Sequence, residues 1–381
     1  MMKVLYIAHC ADFDGSGRAL LHLLEGLEDK VTPIVVLPTS GRLFQHLKQS
    51  GIQTIVLPYS IDVRPAKGSW KDYLLWVPRW IRTYLFRRWA TYRVTRLVRR
   101  EQVELVHTNS SVIHWGAVVA RKCNVPHVWH VRECQDIGLT LCPLEGMTAL
   151  KTEMAYPNNH CVAITRFVFQ HHQLDSEKDV VIYDGVFHED RLNVSDSAIP
   201  GNYFLYVGTL SAAKGCFDAI KAFERLAAQV PDVELWLAGD KNPQVMETIR
   251  TSPYSSRIKL LGFRKDIYEL MQHARATLVP TFFEGFGFVT TEAMLNGCLV
   301  IGRNTAGTKE QLDNGLHKFG KEIGLRFNNV DELVSNMKWA CLASDSEIQE
   351  YTDRGRKIVA QYTIERSCEQ LLQLYTRLLK G

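Results

Sequence analysis

Short, nearly continuous apolar runs alternate with longer helical patterns along the whole chain, and this alternation constrains the fold more than any other feature. In the first half the runs are VLYIAH (4–9), TPIVVLP (32–38), QTIVLP (53–58), LVHTN (105–109), HVWHVR (127–132), HCVAIT (160–165) and VVIYDG (180–185). In the second half they are YFLYVG (203–208), VELWLAG (233–239), IKLLG (258–262), ATLVP (276–280) and CLVIG (298–302). Strands that are apolar on both faces belong in parallel sheets covered by helices on each side. A chain of 381 residues exceeds one ordinary core, and the stretch NVSDSAIPGN (193–202) reads as a linker. The two halves open alike, VLYIAHCADFDGSGRALLHLLEGL against FLYVGTLSAAKGCFDAIKAFERL, each a strand, a glycine-containing loop and an amphipathic helix. The expectation is an α/β fold of two doubly wound, Rossmann-like domains, residues 1–195 and 200–361, facing across a cleft lined by strand-end loops.

Composition narrows the function. The net charge of +4 is too mild to suggest nucleic-acid binding, and no recognition module accompanies it. Nine scattered cysteines without a C-x-x-C pair read as reduced thiols of a cytoplasmic protein. The N-terminal apolar run is too short for a signal peptide, and no run of 18 apolar residues is present to span a membrane.

The stretch FFEGFGFVTTEAMLNGCLVIG (282–302) carries the strongest chemistry. A strand exits into a glycine-rich turn, and a helix follows that Gly297 stops. Gly285 and Gly287 let backbone approach a ligand closely, and a helix start offers N–H groups to a diphosphate. Glu292, one turn into the helix, suits a ribose diol, and Glu284 suits the group beyond the phosphates. The plain alternative is a solvated turn glutamate and a helix-surface glutamate.

Together with YVGTLSAAKGCFDAIKAF (206–223), LAGD (237–240), LLGFRKDIYELMQHA (260–274), WHVRE (129–133) and IYDGV (182–186), this E-x7-E stretch resembles the signature of retaining glycosyltransferases of family 4. The resemblance runs in order over most of the chain and implies the GT-B fold, with the last helix, 362–381, returning to an acceptor-binding first domain. It implies a nucleotide-sugar donor, UDP- or GDP-linked, as substrate, with no cofactor and no metal. It also implies Glu284, His130 and Lys214 as catalytic groups. Donor contacts would come from Gly15, Gly17, Gly208, Thr209, Lys214, Gly262, Phe263, Gly285, Phe286, Gly287, Phe288 and Glu292. Thr209 departs from the family, many members of which carry arginine there, so Lys214 and the helix end are left with more of the phosphate charge. The acceptor would be a glycan or lipid-linked sugar of cell-surface polysaccharide synthesis. A nucleotide-sugar epimerase of the same fold and a non-catalytic sugar-nucleotide-binding protein are the alternatives.

Rival motifs are weaker. GSG at 15–17 has Leu20 where a dinucleotide fingerprint needs glycine. DFD at 12–14 has the form of a metal-dependent sugar transferase motif but reads as loop polarity. His171 and His172 have no matching ligand partner nearby and read as surface, and His107, at a strand end, reads equally as a satisfied core group or a site. Residues 70–100 hold eight arginines and four tryptophans against one aspartate. Pro78 is expected near a helix start. The segment reads either as a helix packed on the first sheet or as a basic-aromatic surface resting on the inner face of the cell membrane.

Overall fold

The computed structural model describes residues 1–65, 70–137, 141–193 and 201–380. They form two compact units, Met1–Gly185 with Ile364–Gly381, and Val186–Thr363. The division falls ahead of the expected linker, of which residues 194–200 lie outside the described residues.

In the first unit seven parallel strands run in the spatial order Gln53–Val56, Val31–Leu37, Met2–Ile7, Leu105–Thr108, His127–Val131, Asn159–Ala163, Val180–Val181. The period of two in a strand sends alternate residues of Met2–Ile7 to opposite faces. Val4 and Tyr6 pack with Leu20, Leu24, Leu371 and Tyr375 on one side. Leu5 and Ile7 pack with Ile34, Val36, Val94 and Trp115 on the other. Both faces are therefore core, which is why these strands read as unbroken apolar runs. The helix Ile364–Lys380 supplies Cys368, Leu371, Leu374 and Tyr375 to the first of these faces. A two-stranded antiparallel pair, Val63–Pro65 with Leu141–Pro143, adds to this unit.

The second unit repeats the plan with six parallel strands in the order Ile258–Gly262, Glu234–Ala238, Tyr203–Val207, Ala276–Val279, Val300–Arg303, Leu325–Phe327. Phe204, Tyr206, Leu235 and Ile301 meet Ala219, Ile220, Phe223 and Leu226 of helix Cys216–Ala227 in its core. In each unit the chain order reverses beside its first strand. Loops at the carboxyl ends of the two strands flanking such a reversal diverge and leave room for a ligand. In the second unit those strands are Tyr203–Val207 and Ala276–Val279, so the loops carrying Lys214 and Glu284 are neighbours by topology.

Two local expectations change. The run 180–185 is a strand only at Val180–Val181, because Asp184 is drawn to Arg132. Pro78 lies inside the 32-residue helix Trp70–Glu101 rather than at its start. The later part of that helix is anchored through buried Ala90, Val94, Leu97 and Val98. Earlier, Leu74, Val77, Trp80, Ile81, Tyr84 and Leu85 stand exposed. The Trp76 side chain lies outside those described.

Candidate functional site

In the second unit the site is built on close backbone approaches. Gly215, at φ +69°, abuts Pro280 so tightly that an added Cβ would sit 2.1 Å from the Pro280 carbonyl oxygen. The Phe282 N–H donates to the Ala213 carbonyl at 3.2 Å. The Tyr206 hydroxyl donates to the carbonyl of Thr209 at 2.8 Å, tying the first loop to its own strand. These contacts bring Lys214 to Glu284, and the Lys214 Nζ lies 2.7 Å from Glu284 Oε1. Both side chains keep access to solvent, so the ammonium can exchange its carboxylate partner for another anion.

The glycine-rich turn is held from a third loop. Gly307 donates its N–H to the Glu284 carbonyl at 2.9 Å. A Cβ on Gly307 would stand 2.4 Å from the Phe286 carbonyl oxygen, so glycine is needed there. Gln311 Nε2 donates to the Phe286 carbonyl at 2.7 Å and to that of Gly287 at 3.2 Å. Gly287, at φ +96°, then takes the N-cap position of the helix Phe288–Leu295, a conformation that favours glycine. Every residue from Thr290 to Leu295 is buried, and Glu292 is only 4% exposed. It is therefore not the helix-surface glutamate of the plain reading. Arg303 fastens the strand exit from below, donating to the Pro280 carbonyl at 2.9 Å, pairing with Asp218 and covering the Phe282 ring at 4.1 Å.

Of the remaining expected donor residues, Gly208 at φ +141° abuts Gly239, whose added Cβ would sit 2.0 Å from the Gly208 carbonyl oxygen. Thr209 is exposed beside it. Gly262 adopts φ +68°, which favours glycine, and leaves Phe263 74% exposed at the end of its strand.

In the first unit His130 is buried in a polar chain. Its Nδ1 lies 3.3 Å from His107 Nε2, and His107 Nδ1 meets the Tyr375 hydroxyl at 2.5 Å. Burial, then the Arg132 charge, hold both imidazoles well below the usual histidine range, so they are neutral near pH 7. Arg132 donates from Nη1 to Asp184 Oδ2 at 2.6 Å and from Nε to the Asn109 carbonyl at 3.1 Å. A water-sized cavity lined by His22, His130, Arg132, Asp184 and Cys368 adjoins this network. Gly17 donates its N–H to Asp14 Oδ1 at 2.7 Å, making Asp14 the cap of helix Gly15–Gly26. A Cβ on Gly17 would stand 2.1 Å from the Asp12 carbonyl oxygen, whereas Gly15 has open space around it. Asp12 pairs with Arg42 at 3.4 Å, so the two carboxylates of DFD serve different partners.

The structure thus joins Lys214 to Glu284 and sets Glu292 in the helix that follows Glu284, and it puts His130 in a buried polar cluster of the first unit. Asp218, Arg303, Gly307, Gln311, Asn109, Arg132 and Asp184 were not singled out from sequence. One signal for three of them was present: RNTAGTKEQ (303–311) follows an apolar run with a glycine at a helix start, as the other site loops do.

Residues 192–354 match the sequence profile described as Glycosyl transferases group 1. A glycogen synthase of Mycobacterium tuberculosis is 31% identical over 115 residues, 29% of this chain and 28% of that protein. The chain thus matches under a third of that relative's length. An uncharacterized glycosyltransferase of Methanocaldococcus jannaschii is 25% identical over 291 residues, 74% of this chain and 78% of the relative. Among solved structures, HepE of Anabaena in complex with UDP superposes with a TM-score of 0.77 at 19% identity, covering 99% of this chain and 100% of its own. Residues 192–354 are therefore similar to the glycosyl transferases group 1 profile, and the chain has the two-domain α/β fold of GT-B glycosyltransferases.

Proposed function

We propose that the protein is a retaining glycosyltransferase of family 4 that moves a sugar from a UDP- or GDP-sugar to a glycan or lipid-linked acceptor in cell-surface polysaccharide synthesis. The observation that carries the reading is the Lys214–Glu284 pair, held at adjoining strand exits ahead of a helix start. A nucleotide diphosphate presents the anion that the Lys214 ammonium and the amides from Gly285 to Phe288 would take over. The carboxylate of Glu284 is then released toward the sugar, and Glu292 serves the ribose hydroxyls. UDP in the Anabaena relative favours a uridine nucleotide as the first to try.

In the chemical step the bond from the anomeric carbon to the leaving phosphate oxygen breaks, and the diphosphate departs with the electron pair. The acceptor hydroxyl attacks from the same face and passes its proton to the departing phosphate, which retains the anomeric configuration. Lys214 and the helix start stabilise the charge that develops on the leaving group. The role proposed for His130 is that of a neutral hydrogen-bonding group rather than a charge. Because fixed protein groups neutralise the diphosphate, turnover of a UDP- or GDP-sugar should be the same with and without added magnesium or manganese. The product should carry the donor's anomeric configuration by NMR. A requirement for manganese, or an inverted product, would contradict the mechanism.

The acceptor is membrane-bound on this reading, and the enzyme rests on the inner face of the cell membrane. The exposed apolar residues Trp80, Ile81, Tyr84, Leu85 and Trp89 share their helix with Arg79, Arg82, Arg88 and Arg93. Each arginine near anionic headgroups contributes about 1 kcal/mol of salt-sensitive attraction, and the tryptophans add apolar anchoring that salt does not remove. The protein should float with anionic vesicles at low salt, partly dissociate at high salt, and bind less when Trp80 and Trp89 are changed to serine. No flotation with anionic vesicles at low salt would rule out this part of the reading.

A further inference from the structure

The fold of the first unit brings Cys134 beside His171 and His172, soft or borderline metal ligands from two stretches of the sequence. Cys134, in the loop after strand His127–Val131, is fully buried. His171 and His172 end the helix Arg166–His172. One ligand atom from each of the three lies within 4.8 Å of the other two. Zinc and its congeners bind thiolate sulfur at ~2.3 Å and imidazole nitrogen at ~2.0 Å, so small side-chain rotations would close this triangle onto one ion.

The imidazoles are already oriented as ligands. His172 Nε2 meets the Glu133 backbone carbonyl at 2.8 Å, an acceptor only, so the Nε2–H donates and Nδ1 keeps its lone pair. That Nδ1 is buried and has no hydrogen-bond partner among the described residues, on a side chain only 1% exposed. A buried polar atom left without a partner is costly and calls for an occupant. His171 is held in the same way, with Nε2 on the Asp136 carboxylate at 2.7 Å, again leaving Nδ1 as the lone-pair nitrogen. Donation of the far ring N–H to a carbonyl or carboxylate is the arrangement that orients metal-bound histidines and raises their basicity. Among the described residues a second cluster, His9, Cys10 and Asp14, lacks that feature. Its carboxylate is spent on the Gly17 N–H, the Ser16 hydroxyl and His9.

The geometry points to a zinc-class transition-metal site formed by Cys134, His171 and His172, with Asp136 orienting His171 and water as the fourth ligand. Its place in the fold suits a brace. The ion would join helix Arg166–His172 to the loop that starts at Arg132. In the same loop Glu133 binds the Ser110 hydroxyl at 2.9 Å and the Ser111 hydroxyl at 2.9 Å, and Gln135 donates to the Ser111 carbonyl at 2.6 Å. The site thus belongs to the first unit's scaffold.

Cobalt(II) is the direct probe, because thiolate-to-cobalt charge transfer reports the sulfur and the visible bands report tetrahedral geometry. The full-length protein, stripped with chelator and titrated with cobalt, should bind one ion per chain with both signatures and be displaced by zinc. Cys134→Ser should abolish the charge-transfer band although eight cysteines remain. Asp136→Asn, which removes no ligand, should weaken binding ~10- to 100-fold. The wild type needs no variant to fold: its unfolding temperature should rise with zinc and not with magnesium. Absence of stoichiometric cobalt binding by the wild type, binding without sulfur charge transfer, or an unchanged spectrum in Cys134→Ser would each overturn the assignment.

Discussion

Replacing Lys214 by alanine is expected to lower sugar transfer roughly 10²- to 10³-fold, the loss that follows removal of one fixed group stabilising transition-state charge. The same substitution should hardly move the unfolding temperature. The Lys214 and Glu284 side chains are 38% and 24% exposed, and solvent-exposed pairs contribute about 0–1 kcal/mol to stability. The position of the lysine is set by backbone rather than by the pair, through Gly215 against Pro280 and Phe282 against Ala213. Glu284 is likewise retained by its own carbonyl bond to Gly307. A rate loss without a stability loss is therefore the signature of a group acting on the leaving phosphate. If turnover and unfolding temperature fell together, Lys214 would be holding the fold. If neither fell, the diphosphate would bind elsewhere.

The second large effect concerns stability. Arg132→Leu removes one member of a buried ion pair and leaves the Asp184 carboxylate, only 4% exposed, without its bidentate partner. Removing one partner of such a pair costs about 3–5 kcal/mol, because the remaining charge is no longer compensated. The loss is compounded at Asn109, which accepts from Arg132 through both its backbone and side-chain oxygens. The unfolding temperature of the first unit should fall by on the order of 10 °C. Asp184→Asn should cost less, since its amide oxygen can still accept from Arg132. The pair Arg132→Leu with Asp184→Leu should recover part of the loss, since apolar replacement of both members avoids an unpaired buried charge. A drop of under about 1 kcal/mol for Arg132→Leu, the range of an exposed ion pair, would mean that water reaches Asp184 more freely than its burial indicates.

What the sequence revealed depended on how locally each feature is determined. Strands buried on both faces announce themselves as apolar runs, and twelve such runs located most of both sheets. Glycine-rich exits and the E-x7-E spacing are contained within a dozen residues, so Glu284 and Glu292 were accessible. The truncation of strand Val180–Val181 was not, because it depends on Asp184 meeting Arg132, 52 residues away. His171 and His172 looked solitary because Cys134 comes from the loop after strand His127–Val131, more than 30 residues earlier. Pro78 suggested a helix start, yet the helix Trp70–Glu101 continues through it. Asp218 and Arg303 were missed for the same reason as Asp184, since nothing in either neighbourhood marks a pairing 85 residues apart.

Titration calorimetry of the wild type, Lys214→Ala and Glu292→Ala with UDP and with GDP tests the central claim most directly, that residues 192–354 hold a nucleotide sugar through these two side chains. The wild type should bind one of the two nucleotides at one site per chain. Glu292→Ala should bind it roughly 5- to 150-fold more weakly, the equivalent of about 1–3 kcal/mol for hydrogen bonds to a charged group. Lys214→Ala should also lose affinity, and more steeply at low salt, where charge attraction is least screened. Failure of the wild type to bind either nucleotide, or equal affinity in the wild type and both variants, would contradict the account.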